Sequence, residues 1–301
     1  MSNTFLCQEA IEQIFSKTNR DNIVLGELLS NDWYTEKHIQ SCYLFKDYLE
    51  REHTTEEKQD RVNKIHQEFL DFEDIEKLVN SIFVTTCQVY ANIPLVSVSA
   101  MLAPKFSFLP IEDAILSMAE ILSILAEVDL YDLYVARNKQ IAMRSRVKLD
   151  DEVLKELNTL MYLPPMISPP RIIEKNRDHY HYSLKDESMI LGGHFNHHNG
   201  EIGLDVLNTL SQQELLIDME FVRNNEPIKP EGTVQKDWDS YMEQSNYVYS
   251  ILEDNIIYIP FKVDKRGRVY AQGHHVNSQG DDYHKAALEL ANKEYVDIGE
   301  L

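Results

Sequence analysis

Two short stretches near the carboxyl end carry the residue types that do chemistry. Gly280-Asp281-Asp282 sets two carboxylates side by side, an arrangement able to hold divalent ions for nucleotidyl transfer. Upstream, Lys262, Lys265, Arg266 and Arg268 are opposed by Asp264 alone, a surplus of three positive charges over residues 262 to 268. Gly267 lets the backbone turn tightly, and the guanidiniums on either side are forked donors matched to phosphate oxygens. The same cluster also suits a solvated hairpin tip after a strand. Histidines form a third group, with His194, His197 and His198 crowded into "GGHFNHHNG" and two further clusters at His179 and His181 and at His274-His275. A zinc site usually adds a carboxylate or thiolate and a recognisable second segment, and adjacent histidines in a loop rarely converge on one ion, so these read as surface loops, and neither a metal ligand nor a catalytic residue is assigned to this chain.

The flanks decide the triplet. Polar "HHVNSQ" precedes it, and "DYHKAALELANKE" after it has the pattern of an amphipathic helix, which puts Asp281 or Asp282 where an N-cap belongs. The elements that must position both stretches follow from periodicity. From Thr4 to about Ile93 the pattern is helical, with Val62, Ile65, Phe69, Phe72, Ile75, Val79 and Ile82 predicted as one apolar stripe behind a Thr54-Thr55 cap. A helix follows Pro110, burying Ile115, Met118, Leu122 and Leu125. The period then shortens, predicting a β-hairpin over about 131–149 with Arg137-Asn138-Lys139 at its tip and Arg144, Arg146 and Lys148 on its arm. "LPPMISPPRII" forces an extended path from Leu163. Beyond it the pattern predicts one helix in "IGLDVLNTLSQQELLIDMEFV", another from about Val234 to Glu253, and a strand over Ile256 to Val263 leading into the basic turn. The expected fold is α+β and predominantly α-helical, with a helical domain over 1–162 and a second unit over 163–301.

Composition bounds the function. The 43% apolar and 26% charged content is that of a globular protein, and no apolar run is long enough to span a bilayer. Cys7, Cys42 and Cys87 lack pairing motifs, and nothing at the N-terminus marks export, so a cytoplasmic protein is expected. A net charge of −21 repels phosphate backbones at long range, so nucleic-acid binding requires locally concentrated positive charge or a basic partner.

The segment "FKVDKRGRVYAQGHHVNSQGDDYHKAALELANKEYVDIG" resembles the D-x-x-G-R region of single-subunit, bacteriophage- and mitochondrial-type RNA polymerases. The matching positions are Asp264, Arg266, Gly267, Arg268, Tyr270, Asn277, Gly280, Asp282, Lys285, Leu288 and Gly299. "LPPMISPP" is similar to the family's proline-rich segment, although Ile172 and Ile173 stand where a tryptophan is common, and the hairpin over 131–149 falls where the family separates promoter strands. The family continues into palm and fingers through Asp-Gly, Tyr-Gly and His-Asp motifs, dipeptides absent from this sequence.

The resemblance implies a reduced thumb and the start of a palm. It also implies the small, non-catalytic subunit of a split, heterodimeric bacteriophage DNA-directed RNA polymerase, acting in the cytoplasm of an infected bacterium. The large subunit would hold two magnesium ions on its aspartates and bind nucleoside triphosphates, while this chain positions template DNA and the RNA–DNA hybrid. On that footing Lys265, Arg266, Gly267, Arg268, Tyr270, Asn277, Gln279 and Lys285 form the nucleic-acid-binding set, in which Arg266, Arg268 and Lys285 contact the backbone and Tyr270 packs beside the template. Asn277 and Gln279 supply polar contacts or buttress the loop, Asp264 orients the arginines, and Asp282 belongs to the motif. An acidic helical interaction protein or DNA mimic is the competing class, and a hydrolase using His194, His197 and His198 a weaker third.

Overall fold

The computed structural model describes residues 7–89, 92–184, 188–192 and 200–292 and is α+β, with more helix than strand. The chain divides into two compact units, Arg20–Lys155 and a second built from Met1–Asn19 with Glu156–Leu301. The expected division at residue 162 differs from this in two ways. The break falls earlier, inside α8 (Asp151–Thr159), and the first helix, α1 (Gln8–Ile14), belongs with the carboxyl-terminal unit.

The reason for the second difference is a buried carboxylate. Glu12 is 0% exposed and accepts hydrogen bonds from the backbone N–H groups of Tyr182 (3.0 Å), Ser183 (2.6 Å) and Leu184 (3.2 Å), from the Ser183 hydroxyl (2.7 Å), and from Gln8 Nε2 (3.0 Å). Gln8 Oε1 in turn accepts from the Ile167 N–H at 2.8 Å. A charge that sheds water must be fully hydrogen-bonded, and the donors it needs lie in the carboxyl-terminal half of the chain.

The unit Arg20–Lys155 is a helical layer with a small sheet. Helix α2 (Lys17–Leu29) enters it, followed by α3 (Asp32–Glu50), α4 (Glu56–Glu68) and α5 (Phe72–Cys87). The Thr55 side chain caps α4 by accepting from the Lys58 N–H, as the sequence suggests. The stripe from Val62 to Ile82 is split, because the chain turns after Phe69 and a new helix starts behind Asp71. Val62, Ile65, Ile75, Val79 and Ile82 remain buried, while Phe72 is exposed. Helices α6 (Leu95–Leu102) and α7 (Ile111–Leu125) complete the layer, α7 burying Ala114, Met118, Ile121, Leu122 and Leu125. Strands β1 (Ile93–Pro94), β2 (Tyr131–Val135) and β3 (Ile141–Ser145) form an antiparallel sheet in the order β1-β3-β2. The predicted hairpin is therefore present, with Lys139 at φ +64° in its tip. Its arm is self-neutralised, since Arg146 pairs with Asp129 (3.0 Å) and Asp132 (2.6 Å).

In the second unit, Met166, Tyr180, Met189, Ile190, Leu207, Tyr249, Leu252, Ile257 and Val263 are buried together. Each large apolar side chain so buried contributes about 1.5–3 kcal/mol. The helix predicted over residues 202 to 222 is three elements: α9 (Leu204–Ser211), strand β4 (Leu215–Ile217) and α10 (Met219–Asn224), whose N-cap Asp218 accepts from the Phe221 N–H. Strand β4 exists because Leu215 and Ile217 pair with Leu290 and Leu288, a non-local match that local periodicity does not reveal. Helix α11 (Gln235–Leu252) matches its prediction closely. The strands β5 (Phe261–Val263) and β6 (Val269–Ala271), the helix α12 (Asp282–Ala286) and the strand β7 (Leu288–Leu290) close the unit.

Candidate nucleic-acid interface

The basic turn joins two antiparallel strands whose partners fix it. Val263 pairs with Val269 and Phe261 with Ala271 across the hairpin, while on its other edge β5 bonds to residues 189 to 191, through Val263 N–H to Met189 O (3.0 Å) and Leu191 N–H to Val263 O (2.7 Å). A strand held on both edges is a rigid base for a loop. The turn closes through Gly267 N–H to Asp264 O and Asp264 N–H to Arg268 O, both 2.9 Å. Gly267 sits at φ +81°, a left-handed conformation in which a side chain is strained, so a glycine has a backbone reason to be there.

Asp264 organises everything around it. One oxygen, Oδ1, accepts the backbone N–H groups of Arg266 (2.8 Å) and Arg268 (3.0 Å). The other, Oδ2, accepts from the Nε atoms of Arg266 (3.1 Å) and Arg268 (2.8 Å), with the Tyr270 hydroxyl at 3.4 Å. Desolvation works against the charged carboxylate, but the hydrogen bonds and charge of Arg268 outweigh it and hold Asp264 below the usual carboxylate range. The arginine side chains are nonetheless 72% and 54% exposed for Arg266 and Arg268, against 16% for Asp264. One edge of each guanidinium is spent on orientation, and the remaining N–H donors face solvent. Arg266 and Arg268 each give Nε to Asp264, and Arg266 Nη2 lies 3.1 Å from the same oxygen. The Arg268 guanidinium lies 6.0 Å from the Tyr270 ring centre, and Lys265 is exposed beside it. Chemically the turn is a preorganised anion clamp suited to phosphate.

Two of the residues expected to touch nucleic acid are committed elsewhere. Gln279 stands against the open edge of β6, accepting from the Ala271 N–H at 2.8 Å and donating to Val269 O at 3.1 Å, as a further strand would. Asn277 accepts from the Gln279 N–H (2.8 Å) and donates to Gly273 O (2.7 Å). These amides buttress the hairpin, which is the second of the two roles expected for them. Lys285 is exposed and lies 3.7 Å from Asp282, whose side chain is fully exposed. Asp281 is the N-cap of α12, accepting from the His284 N–H at 3.0 Å and facing His284 Nδ1. The triplet is thus a helix cap, and Asp281 and Asp282 are not paired on a common ion site. The helix it starts is shorter than predicted, because Leu288 and Leu290 leave it to pair with β4.

Among the described residues no group of three His, Cys, Asp or Glu side chains could hold a metal ion. His194, His197 and His198 lie outside the described residues. No helix among the described residues is long and apolar enough to cross a membrane.

Sequence reasoning missed a second feature beside the turn. A groove of about 410 Å³ opens along β5 and β6, lined by Tyr162, Pro164, Pro260, Lys262, Gln272 and His274 among others. Tyr162 stacks on His274 with ring centres 3.6 Å apart and planes 16° from parallel. Gly273 makes the fold-back possible, since a Cβ there would sit 2.0 Å from Val276 O. Next to it His275 is only 3% exposed, and its Nδ1 has no hydrogen-bond partner among the described residues. Burial, reinforced by His274 and His284, pushes the His275 imidazole down to about 4, so the ring is neutral at pH 7. The histidine pair was visible in the sequence, but its partner Tyr162 lies far away in the chain and no local signal joins them. No protein-family model matches the chain, and neither does any curated protein sequence.

Proposed function

We propose that this chain is the non-catalytic small subunit of a split DNA-directed RNA polymerase of the single-subunit type, and that its basic turn grips the backbone of the template strand or the RNA–DNA hybrid. The observation that carries the reading is the Asp264 clamp. A carboxylate that takes five donors from Arg266, Arg268 and Tyr270 holds two guanidiniums side by side with their free edges outward. The Oδ1 contacts are those of an Asx turn, and the two Nε contacts to Oδ2 are what orient the guanidiniums. Contacts of this kind position a strand without reading its sequence, which suits a template channel.

The two magnesium ions of nucleotidyl transfer are assigned to aspartates of a large companion subunit, together with the nucleoside triphosphate site. Asp281 and Asp282 do not fit that task, because Asp281 caps α12 and Asp282 projects into solvent near Lys285. This chain's part is positioning. Arg268 and Arg266 hold backbone phosphate, Tyr270 supports the Arg268 guanidinium, and Lys285 adds charge from the neighbouring helix. In the other unit, the hairpin tip sets the exposed cross-strand pair Val135 and Ile141 beside Arg137 and Lys139, apolar surface with flanking cations that suits the separation of DNA strands. The chain's −21 charge then belongs to surfaces that face away from nucleic acid.

Reconstitution tests this. Co-expressed with a companion chain that carries the palm and fingers motifs, this chain is expected to co-purify with it in equal proportion. The pair is expected to synthesise RNA from a single-stranded DNA template while neither chain does so alone. RNA synthesis by the companion without this chain would refute the proposal.

A further inference from the structure

The geometry points to a base-stacking subsite: the groove walled by Tyr162 and His274 receives one unpaired nucleobase of the same strand whose phosphates lie at Arg266 and Arg268. The inference rests on the reading that nucleic acid runs along the basic turn, and adds to it a second point of attachment with different chemistry.

Three observations converge on this occupant. The first is shape. The groove's volume of about 410 Å³ is that of a small-molecule site, and one of its walls is the flat face formed by the Tyr162–His274 stack, with Tyr162 39% exposed. Flat π surfaces accept nucleobases of any sequence, because every base presents a π face. The second is rigidity. His274 cannot drift, since Gly273 is folded against Val276 O, Asn277 donates to Gly273 O, and the Tyr249 hydroxyl donates to His275 O at 3.1 Å. The T-shaped contact between His274 and His275, with centres 4.6 Å apart, supports the stack from behind. Burial, then the neighbouring His284, lowers the His274 pKa, which keeps the ring an uncharged stacking surface near neutral pH. The third is continuity with the turn. Lys262 lines the groove and belongs to the strand that runs directly into Lys265 and Arg266. Strand β5 ends at Val263 and the chain turns from Asp264, so Lys262 and Lys265 are separated by at most roughly 10 Å of backbone, about three nucleotides of a stacked strand. A strand with its phosphates at the turn therefore brings a nearby base to the Tyr162–His274 wall, with the Lys262 ammonium beside the intervening backbone.

A single-stranded oligonucleotide carrying 2-aminopurine at one position reports stacking directly, because its fluorescence is quenched when the base lies against an aromatic ring. With the full chain at low salt, we expect quenching on binding for at least one placement of the probe, and weaker binding when that nucleotide is made abasic. Tyr162→Ala is expected to remove the quenching and weaken binding about five- to tenfold, and to bind the abasic oligonucleotide as well as the wild type does. Tyr162→Phe keeps both signals, which separates loss of the ring from loss of the fold. Quenching and affinity unchanged in Tyr162→Ala would overturn the subsite. If Arg268→Ala alone weakened binding, the subsite would fall while the proposed function stood. A wild-type chain that binds no oligonucleotide also overturns the subsite, and RNA synthesis by the reconstituted pair then judges the broader reading separately.

Discussion

Arg268→Ala is expected to lower RNA synthesis by the reconstituted enzyme roughly 10- to 100-fold, with the protein still folded and still bound to its companion. A charge-assisted hydrogen bond to phosphate is worth about 1.5–3 kcal/mol, and each 1.36 kcal/mol is about tenfold in rate or affinity. Arg268 is chosen over Arg266 because Tyr270 as well as Asp264 holds its guanidinium in place. Arg268→Lys should recover part of the activity, since an ammonium restores the charge but cannot present a fork. The loss should show in template affinity and its salt dependence, with a shallower slope against salt concentration by about one phosphate contact. Wild-type activity in Arg268→Ala, measured as RNA produced per enzyme on a single-stranded template, would remove the role assigned here.

Glu12→Ala is expected to cost the carboxyl-terminal unit about 3–5 kcal/mol of stability, an effect on folding and not on chemistry. The carboxylate is 0% exposed, and removing it strands three backbone N–H groups from residues 182 to 184 and the Ser183 hydroxyl. Glu12→Gln should be nearly as damaging, because an amide turns one of the two acceptor oxygens into a donor facing other donors. Denaturant unfolding monitored by circular dichroism gives the answer, and a midpoint unchanged in Glu12→Ala would refute it. The pH dependence has a definite sign. Burial raises the Glu12 pKa, yet the hydrogen bonds from Ser183, Tyr182 and Gln8 outweigh it and leave the group below its ordinary value. Its contribution is therefore complete above the unfolded carboxylate pKa and lost as pH falls through the lower folded value. His275 acts earlier on the same descent. Its folded value of about 4 lies below the ordinary 6.5, so the unfolded chain takes up the proton first and stability declines as pH falls between those values. Acidification should weaken this unit in two stages, and Glu12→Ala should diminish the later one, to which Asp264 and Asp281 also contribute.

What the sequence made legible is what local patterns encode. The hairpin at 131–145, the long helix ending at Leu252, the Thr55 cap and the basic turn with its obligatory Gly267 each depend on neighbours within a few residues. The Asp281 cap could be told from a metal pair by its flanks alone. What escaped is non-local. Strands β4 and β7 were read as helix because Leu215–Ile217 and Leu288–Leu290 have no strand signature apart from one another. The placement of α1 with the carboxyl-terminal unit hangs on one buried glutamate whose donors are far along the chain. For Asn277 and Gln279 the sequence left two roles open, polar contacts to nucleic acid or buttressing of the loop, and the hydrogen bonds that consume both amides appear only when the loop is folded. The same is true of the Tyr162–His274 wall, whose two rings come from opposite ends of the unit's second segment.

Contact between the turn at residues 264 to 268 and a nucleic-acid strand decides the proposed function. Site-specific photocrosslinking addresses this directly. With Lys265→p-benzoylphenylalanine in the reconstituted enzyme, stalled on a template labelled separately in its DNA and RNA, irradiation should attach this chain to the template strand or the transcript within a few nucleotides of the growing end. Crosslinks confined to the companion chain, or to no strand at all in a complex that is making RNA, would contradict it.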